Sequence, residues 1–223
     1  MAKAALIEHR PWLFASVIAS IAYYFLSDNP FGPLLPAFGG VWLIALKGAG
    51  VAFLAAYALR RAHRADGKIL ALALALSAMA DMALEIEFII GGALFAASHA
   101  VAIVLYSRNR RENLSASQVL LSIALLIATP LVSYWLSGRI EIAAYALTLG
   151  LMASFAWSSR FPRYRVGLGA VLFVVSDWLI FSDMGPVNLG ILPALLVWPL
   201  YYGGQLMIAT GVVQTLRGET PVK

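Results

Sequence analysis

Ser77–Ala100 reads SAMADMALEIEFIIGGALFAASHA, and how this stretch is placed decides the fold. Apart from the short acidic segment Glu85–Glu87 it is apolar or built of small residues, yet Asp81 interrupts its first half and His99 its second. A solvated helix would show polar residues all along one side. Here Ser77, Asp81 and Glu85 recur four apart, on one helical face of an otherwise apolar segment. The pattern predicts two apolar helices joined by a tight turn, each with a titratable group in its interior.

Outside this stretch the chain has the same character. Of its 223 residues 61% are hydrophobic and 12% charged, and the mean hydropathy is +0.83, which is the composition of a polytopic membrane protein. Apolar runs of about 17 to 25 residues, each long enough to cross roughly 30 Å of hydrocarbon as a helix, recur along it. Eight are expected: Trp12 to Ser27, Ala37 to Leu59, Ile69 to Glu87, Phe88 to Tyr106, Ser117 to Leu136, Glu141 to Trp157, Val166 to Asp183 and Gly190 to Leu216. The fold class is therefore all-α, an integral membrane protein forming a single transmembrane domain over residues 1–223. The run from Trp12 follows no cleavage pattern and is expected to be retained as a span. Trp12, Trp42, Trp135, Trp157 and Trp198 read as anchors at span ends.

The net charge of +5 is explained by topology. Of the 16 Lys and Arg, only Lys47 and Arg139 fall outside the two termini and the loops after spans two, four and six. The opposite loops carry Asp28, Glu85, Glu87, Glu141 and Asp183. The positive-inside rule then puts both termini in the cytoplasm, as in a bacterial inner (plasma) membrane, and removes the reason to expect a nucleic-acid partner. The chain has no cysteine, which excludes disulfides, thiolate nucleophiles and Cys-based metal sites.

Depth follows from orientation. Asp81 stands 13 residues past Lys68 and Asp177 12 past Arg165, so at 1.5 Å per residue both carboxyls lie about 18 to 20 Å from the basic flank. Lys47, His99, Tyr201, Tyr202 and Gln205 sit near mid-depth in spans two, four and eight. A charge at the bilayer centre costs about 2.5 to 3.5 kcal/mol on insertion scales, so each such residue is a functional-site hypothesis. Gly91, Gly92, Ala96 and Ala97 would let span four approach its neighbours. Each half carries its acid on the third span, SAMAD against FVVSD, which suggests a four-plus-four parallel repeat of residues 1–110 and 111–223.

Two aspartates in a low-dielectric interior suit acid–base chemistry, because such chemistry needs one protonated and one ionised carboxyl. Lys47 decides which is which: beside Asp177 it would hold that carboxylate ionised and leave Asp81 as the acid. A proton-coupled transporter would also use an Asp/His/Lys layer, with Pro193 and Pro199 breaking span eight, and a lipid-binding membrane protein would tolerate one. A zinc hydrolase would use Ser77 and Asp81, but it needs several intramembrane histidines, whereas His9 and His63 lie in loops. No metal or other cofactor is expected.

An ordered set of these residues is similar to a known family. Lys47, then Asp81, Gly91, Phe95, His99 and Tyr106, then GAVLFVVSD from Gly169 to Asp177, then Tyr202 and Gln205, resemble the YhhN family of eight-span membrane proteins, which includes the lysoplasmalogenases. Ala80 stands where that family commonly has Gly, and Gly48 where it has Pro. The resemblance implies a hydrolase that cleaves the vinyl ether bond of a lysoplasmalogen, releasing a fatty aldehyde and a glycerophospho-ethanolamine or glycerophospho-choline. It implies Asp81 and Asp177 as catalytic residues, with Lys47, Ser77, Glu85, His99, Tyr201, Tyr202 and Gln205 around a lysophospholipid substrate in the bilayer.

Overall fold

The computed structural model describes residues 10–27, 39–62 and 64–218. Lys3, His9, Asp28, His63 and Lys223 lie outside the described residues, as does the expected start of span two at Ala37. Within them the fold is all-helical: α1 (Pro11–Leu26), α2 (Val41–Arg61), α3 (Ala65–Leu84), α4 (Phe88–Arg108), α5 (Ala116–Ser137), α6 (Ile140–Ser158), a π-helical turn at Arg163–Gly167, α7 (Leu168–Ser182) and α8 (Leu192–Gly218). Seven of these, the π turn counted with α7, are long and apolar enough to cross a membrane. With 16 residues, α1 reaches about 24 Å and is the short one.

Several boundaries move. Span three begins at Ala65, not Ile69, and ends at Leu84, with Glu85 as its C-cap and Glu87 in the turn. Span seven begins at the π turn Arg163–Gly167, directly after the extended Pro162, and not at Val166; its arginines resemble a loop in sequence. Span eight is a continuous helix of 27 residues: Pro193 sits in the first turn, where its missing N–H is no loss, and Pro199 is accommodated inside the helix.

The chain separates into two compact units, residues 1–98 with 212–223, and residues 99–211. The division passes through α4 and α8, both of which are unbroken. In the first unit α1 packs on α2 and α2 on α3, and Ser16 Oγ donates to the Gly50 carbonyl at 2.5 Å. In the second, α5 and α6 form a hairpin against which α7 packs. Ser115 and Gln118 form a reciprocal capping box that starts α5, and Gly138 ends it in the left-handed conformation at φ 68°. Thr129, Ser133 and Ser137 each donate to a carbonyl one turn back, so the buried hydroxyls of α5 are satisfied without water. Between α7 and α8 two glycines touch: a Cβ on Gly169 would stand 2.7 Å from the Gly204 carbonyl oxygen. Such close backbone approach is how helices associate in lipid, where no hydrophobic drive separates helix from tail.

Small residues of α4 behave unequally. Gly91 is buried, while Gly92 is half-buried and Ala97 exposed, so the expected close-packing stripe is only partly used. Trp42 and Trp135 stand exposed near helix ends, as anchors should. Trp198 does not: it is buried and stacked on Tyr202 with centroids 6.1 Å apart.

Candidate functional site

Each unit holds one of the two aspartates, in different company. In the first, Asp81 is 2% exposed on α3. Lys47 of α2 forms an ion pair with Glu85 at 2.5 Å, hydrogen-bonds Tyr23 of α1, and holds its ammonium 5.7 Å from that ring's centroid. Asp81 is close enough to interact electrostatically with both Lys47 and Tyr23. What brings α2 this near is Gly48, where a Cβ would meet the Met82 side chain at 2.6 Å and the Ala78 carbonyl oxygen at 3.1 Å. A residue bulkier than glycine beside Lys47 would push that helix off the face that carries Asp81. Glu85 extends this face as the α3 C-cap and is the most open member, its side chain 39% exposed against 15% for Lys47. Ser77, one turn before Asp81, shares a 2.8 Å hydrogen bond with Ser98 of α4, and Ser98 donates to the Ala73 carbonyl at 2.8 Å.

In the second unit Asp177 is 5% exposed on α7, and the Tyr145 hydroxyl of α6 donates to its Oδ2 at 2.8 Å. Rings line its surroundings. Tyr145 meets His99 at 5.6 Å and Phe181 at 6.0 Å between centroids, and Phe173 meets His99 at 5.2 Å and Tyr201 at 5.0 Å. Tyr201 meets Trp198 at 5.6 Å. His99 Nδ1 lies 3.3 Å from Thr148 Oγ1, and that hydroxyl donates to the Tyr145 carbonyl at 2.7 Å. Tyr202 and Gln205 are buried with them on α8. Among the described residues no three His, Cys, Asp or Glu side chains converge as a metal set.

The predicted residues therefore sort into a charged group (Lys47, Asp81, Glu85, with Ser77 alongside) and an aromatic one (His99, Asp177, Tyr201, and Tyr202 and Gln205 on the same helix). A family model for the YhhN family matches residues 42–212. The chain belongs to the YhhN family. Neither the curated proteins nor the solved structures contain a match. The YhhN match takes in every predicted site residue from Lys47 to Gln205, whereas Tyr23 lies before it. Tyr23, Tyr145 and Thr148 were missed in the sequence because a hydroxyl on an apolar span reads as packing material. The available signal was the pair Tyr145 and Thr148, two polar tips one turn apart in the middle of span six.

Proposed function

We propose that this YhhN protein is a lysoplasmalogenase-like hydrolase that uses Asp177 and Asp81 as general acid and base. Protonation of the vinyl ether β-carbon gives an oxocarbenium ion; water adds to the α-carbon and loses a proton; the hemiacetal then collapses to aldehyde and the free glycerol hydroxyl. One water is consumed and no redox partner is needed. A transition state with this cationic character resembles that of glycosidases, which use paired carboxyls. The observation that carries the reading is Asp177, buried among aromatic rings and held on Oδ2 by Tyr145, in a chain whose family includes such hydrolases. Electron-rich ring faces stabilise nearby positive charge, which is what the oxocarbenium ion brings.

Lys47 decides the roles differently from the sequence expectation. Its ammonium lies with Glu85 and near Asp81, so the premise that made Asp81 the acid is reversed. Asp177 is assigned the proton donor, and Asp81 the group that orients and deprotonates water. Lys47, Glu85, His99, Tyr201, Tyr202 and Gln205 are assigned to the lysophospholipid, with the ethanolamine or choline headgroup at the polar end, and Ser77 to its bond with Ser98. The distribution of Arg and Lys supports a cytoplasmic position for both termini. The transporter alternative loses its broken helix, since α8 is continuous. Purified protein in nanodiscs, given a lysoplasmalogen and its saturated alkyl-ether twin, should release aldehyde from the first only. Turnover of both, or of neither under conditions where the protein is folded, overturns the assignment.

A further inference from the structure

At one end of the second unit the loop after α4 and the loop after α6 are fastened together. Arg110 and Ser159 form an isolated antiparallel bridge, the Arg160 backbone N–H donates to the Asn109 carbonyl at 2.8 Å and the Arg111 N–H to the Ser158 carbonyl at 3.3 Å. The buckle is also made with side chains: Arg160 Nε donates to Asn109 Oδ1 at 2.7 Å, while Asn109 Nδ2 donates to the Leu105 carbonyl at 2.9 Å. Asn109 and Ser159 are buried, at 2% and 0% exposure. The two loops and the π turn bring six arginines and no lysine to this end, Arg108, Arg110, Arg111, Arg160, Arg163 and Arg165, with Glu112 the single acid among them.

Topology requires positive charge in such loops, but mobile lysines would meet that requirement equally well. Here the cations are all guanidinium, whose planar forks bind phosphate oxygens in pairs, and several are held in place. Arg110 lies 5.8 Å from the Phe155 ring centroid and Arg163 5.0 Å from that of Tyr164. Tyr164, between Arg163 and Arg165, is 70% accessible, and directly beyond the arginines the helices turn apolar and exposed, with Leu168 38% and Leu120 70% accessible. A soluble anion has no use for that apolar flank; an acyl chain does.

We propose that this buckle is a binding site for an anionic phospholipid, its phosphodiester on the arginines and its chains along the exposed flanks of α5 and α7. Basic clusters at the ends of membrane helices bind such headgroups. The proposal is independent of the hydrolase reading.

The test is native mass spectrometry of the full chain, exchanged between phosphatidylglycerol and phosphatidylcholine nanodiscs and released with its bound lipid. Wild type should retain phosphatidylglycerol at least about tenfold over phosphatidylcholine. Replacing Arg110, Arg111 and Arg163 by lysine, which keeps the charge and removes the forks, should lower that preference to below about threefold with an unchanged melting temperature. No preference in wild type overturns the site without need of any variant. Preference retained by the lysine variant shows diffuse charge attraction only and overturns it too. Displacement of the lipid by millimolar inorganic phosphate would assign the arginines to a soluble anion and would equally reject the lipid.

Discussion

Asp81 and Asp177 each stand inside an apolar span, 13 and 12 residues past a basic residue, and the two surroundings share almost nothing else. Around Asp81 stand a cation, a second carboxylate and a phenol, with one of the charges a third or more open. Around Asp177 stand rings, and its Oδ2 accepts from a tyrosine hydroxyl. Lys47 and Tyr23 come from α2 and α1 and Tyr145 from α6, whereas Glu85, Phe173 and Phe181 stand one turn from the acid on its own helix. Two acids alike in sequence are thus given different surroundings by their neighbours, the condition under which identical carboxyls take different protonation roles.

The largest effect expected is on turnover. Asp177→Asn and Asp81→Asn should each lower kcat by at least about a hundredfold, the low end for a lost general acid or base, in vinyl ether hydrolysis by folded protein. If one asparagine variant keeps near-normal turnover, that acid is structural and the contrast between the two surroundings carries no catalytic meaning.

Next comes Tyr145→Phe, which deletes the hydroxyl at Asp177 and keeps the ring. A hydrogen bond to a charged or acidic partner is worth about 1.5 to 3 kcal/mol, so kcat should drop about tenfold or more while KM stays within about twofold. A merely structural tyrosine would show the opposite, a lower melting temperature with full turnover per folded molecule.

The ion pair of the first unit should matter less. Lys47→Met and Glu85→Gln, alone and together, form a thermodynamic cycle whose coupling should be about 1 kcal/mol, between the values for exposed and buried pairs because Glu85 is partly open. Thermal unfolding of the four proteins measures it. A coupling of zero would mean that Lys47 acts on Asp81 alone and that its partnership with Glu85 is incidental.

Much of this architecture was legible, for a physical reason: hydrocarbon imposes length and apolarity on every span, so the helices from α2 to α6 fall within a few residues of their hydropathy runs. The π turn Arg163–Gly167 was not legible, because three residues of a five-residue stretch look like a loop when arginine or tyrosine flanks a proline. The face Ser77–Asp81–Glu85 could be read from four-residue spacing. Its partner Lys47, 38 positions from Glu85, could not, since spacing on one helix says nothing of which neighbour meets it. Trp198 was misread for the same reason: a tryptophan near a span end is an anchor by default, and only the rings of Tyr201 and Tyr202 beside it make it core.

The smallest effect concerns Ser77, which the resemblance placed at the substrate and which the structure shows bonded to Ser98. Interhelical hydrogen bonds in membrane proteins average about 0.6 kcal/mol in double-mutant cycles, since the unfolded chain in the membrane also finds partners. Ser98 keeps its bond to the Ala73 carbonyl when Ser77 loses its hydroxyl, so no buried donor is stranded by the change. Ser77→Ala should therefore lower stability by about 0.6 kcal/mol or less and leave kcat and KM within about twofold of wild type. If instead KM rises tenfold or more with the melting temperature unchanged, Ser77 contacts the lipid, and the charged group of the first unit reaches one helical turn further along α3 than its ion pair marks.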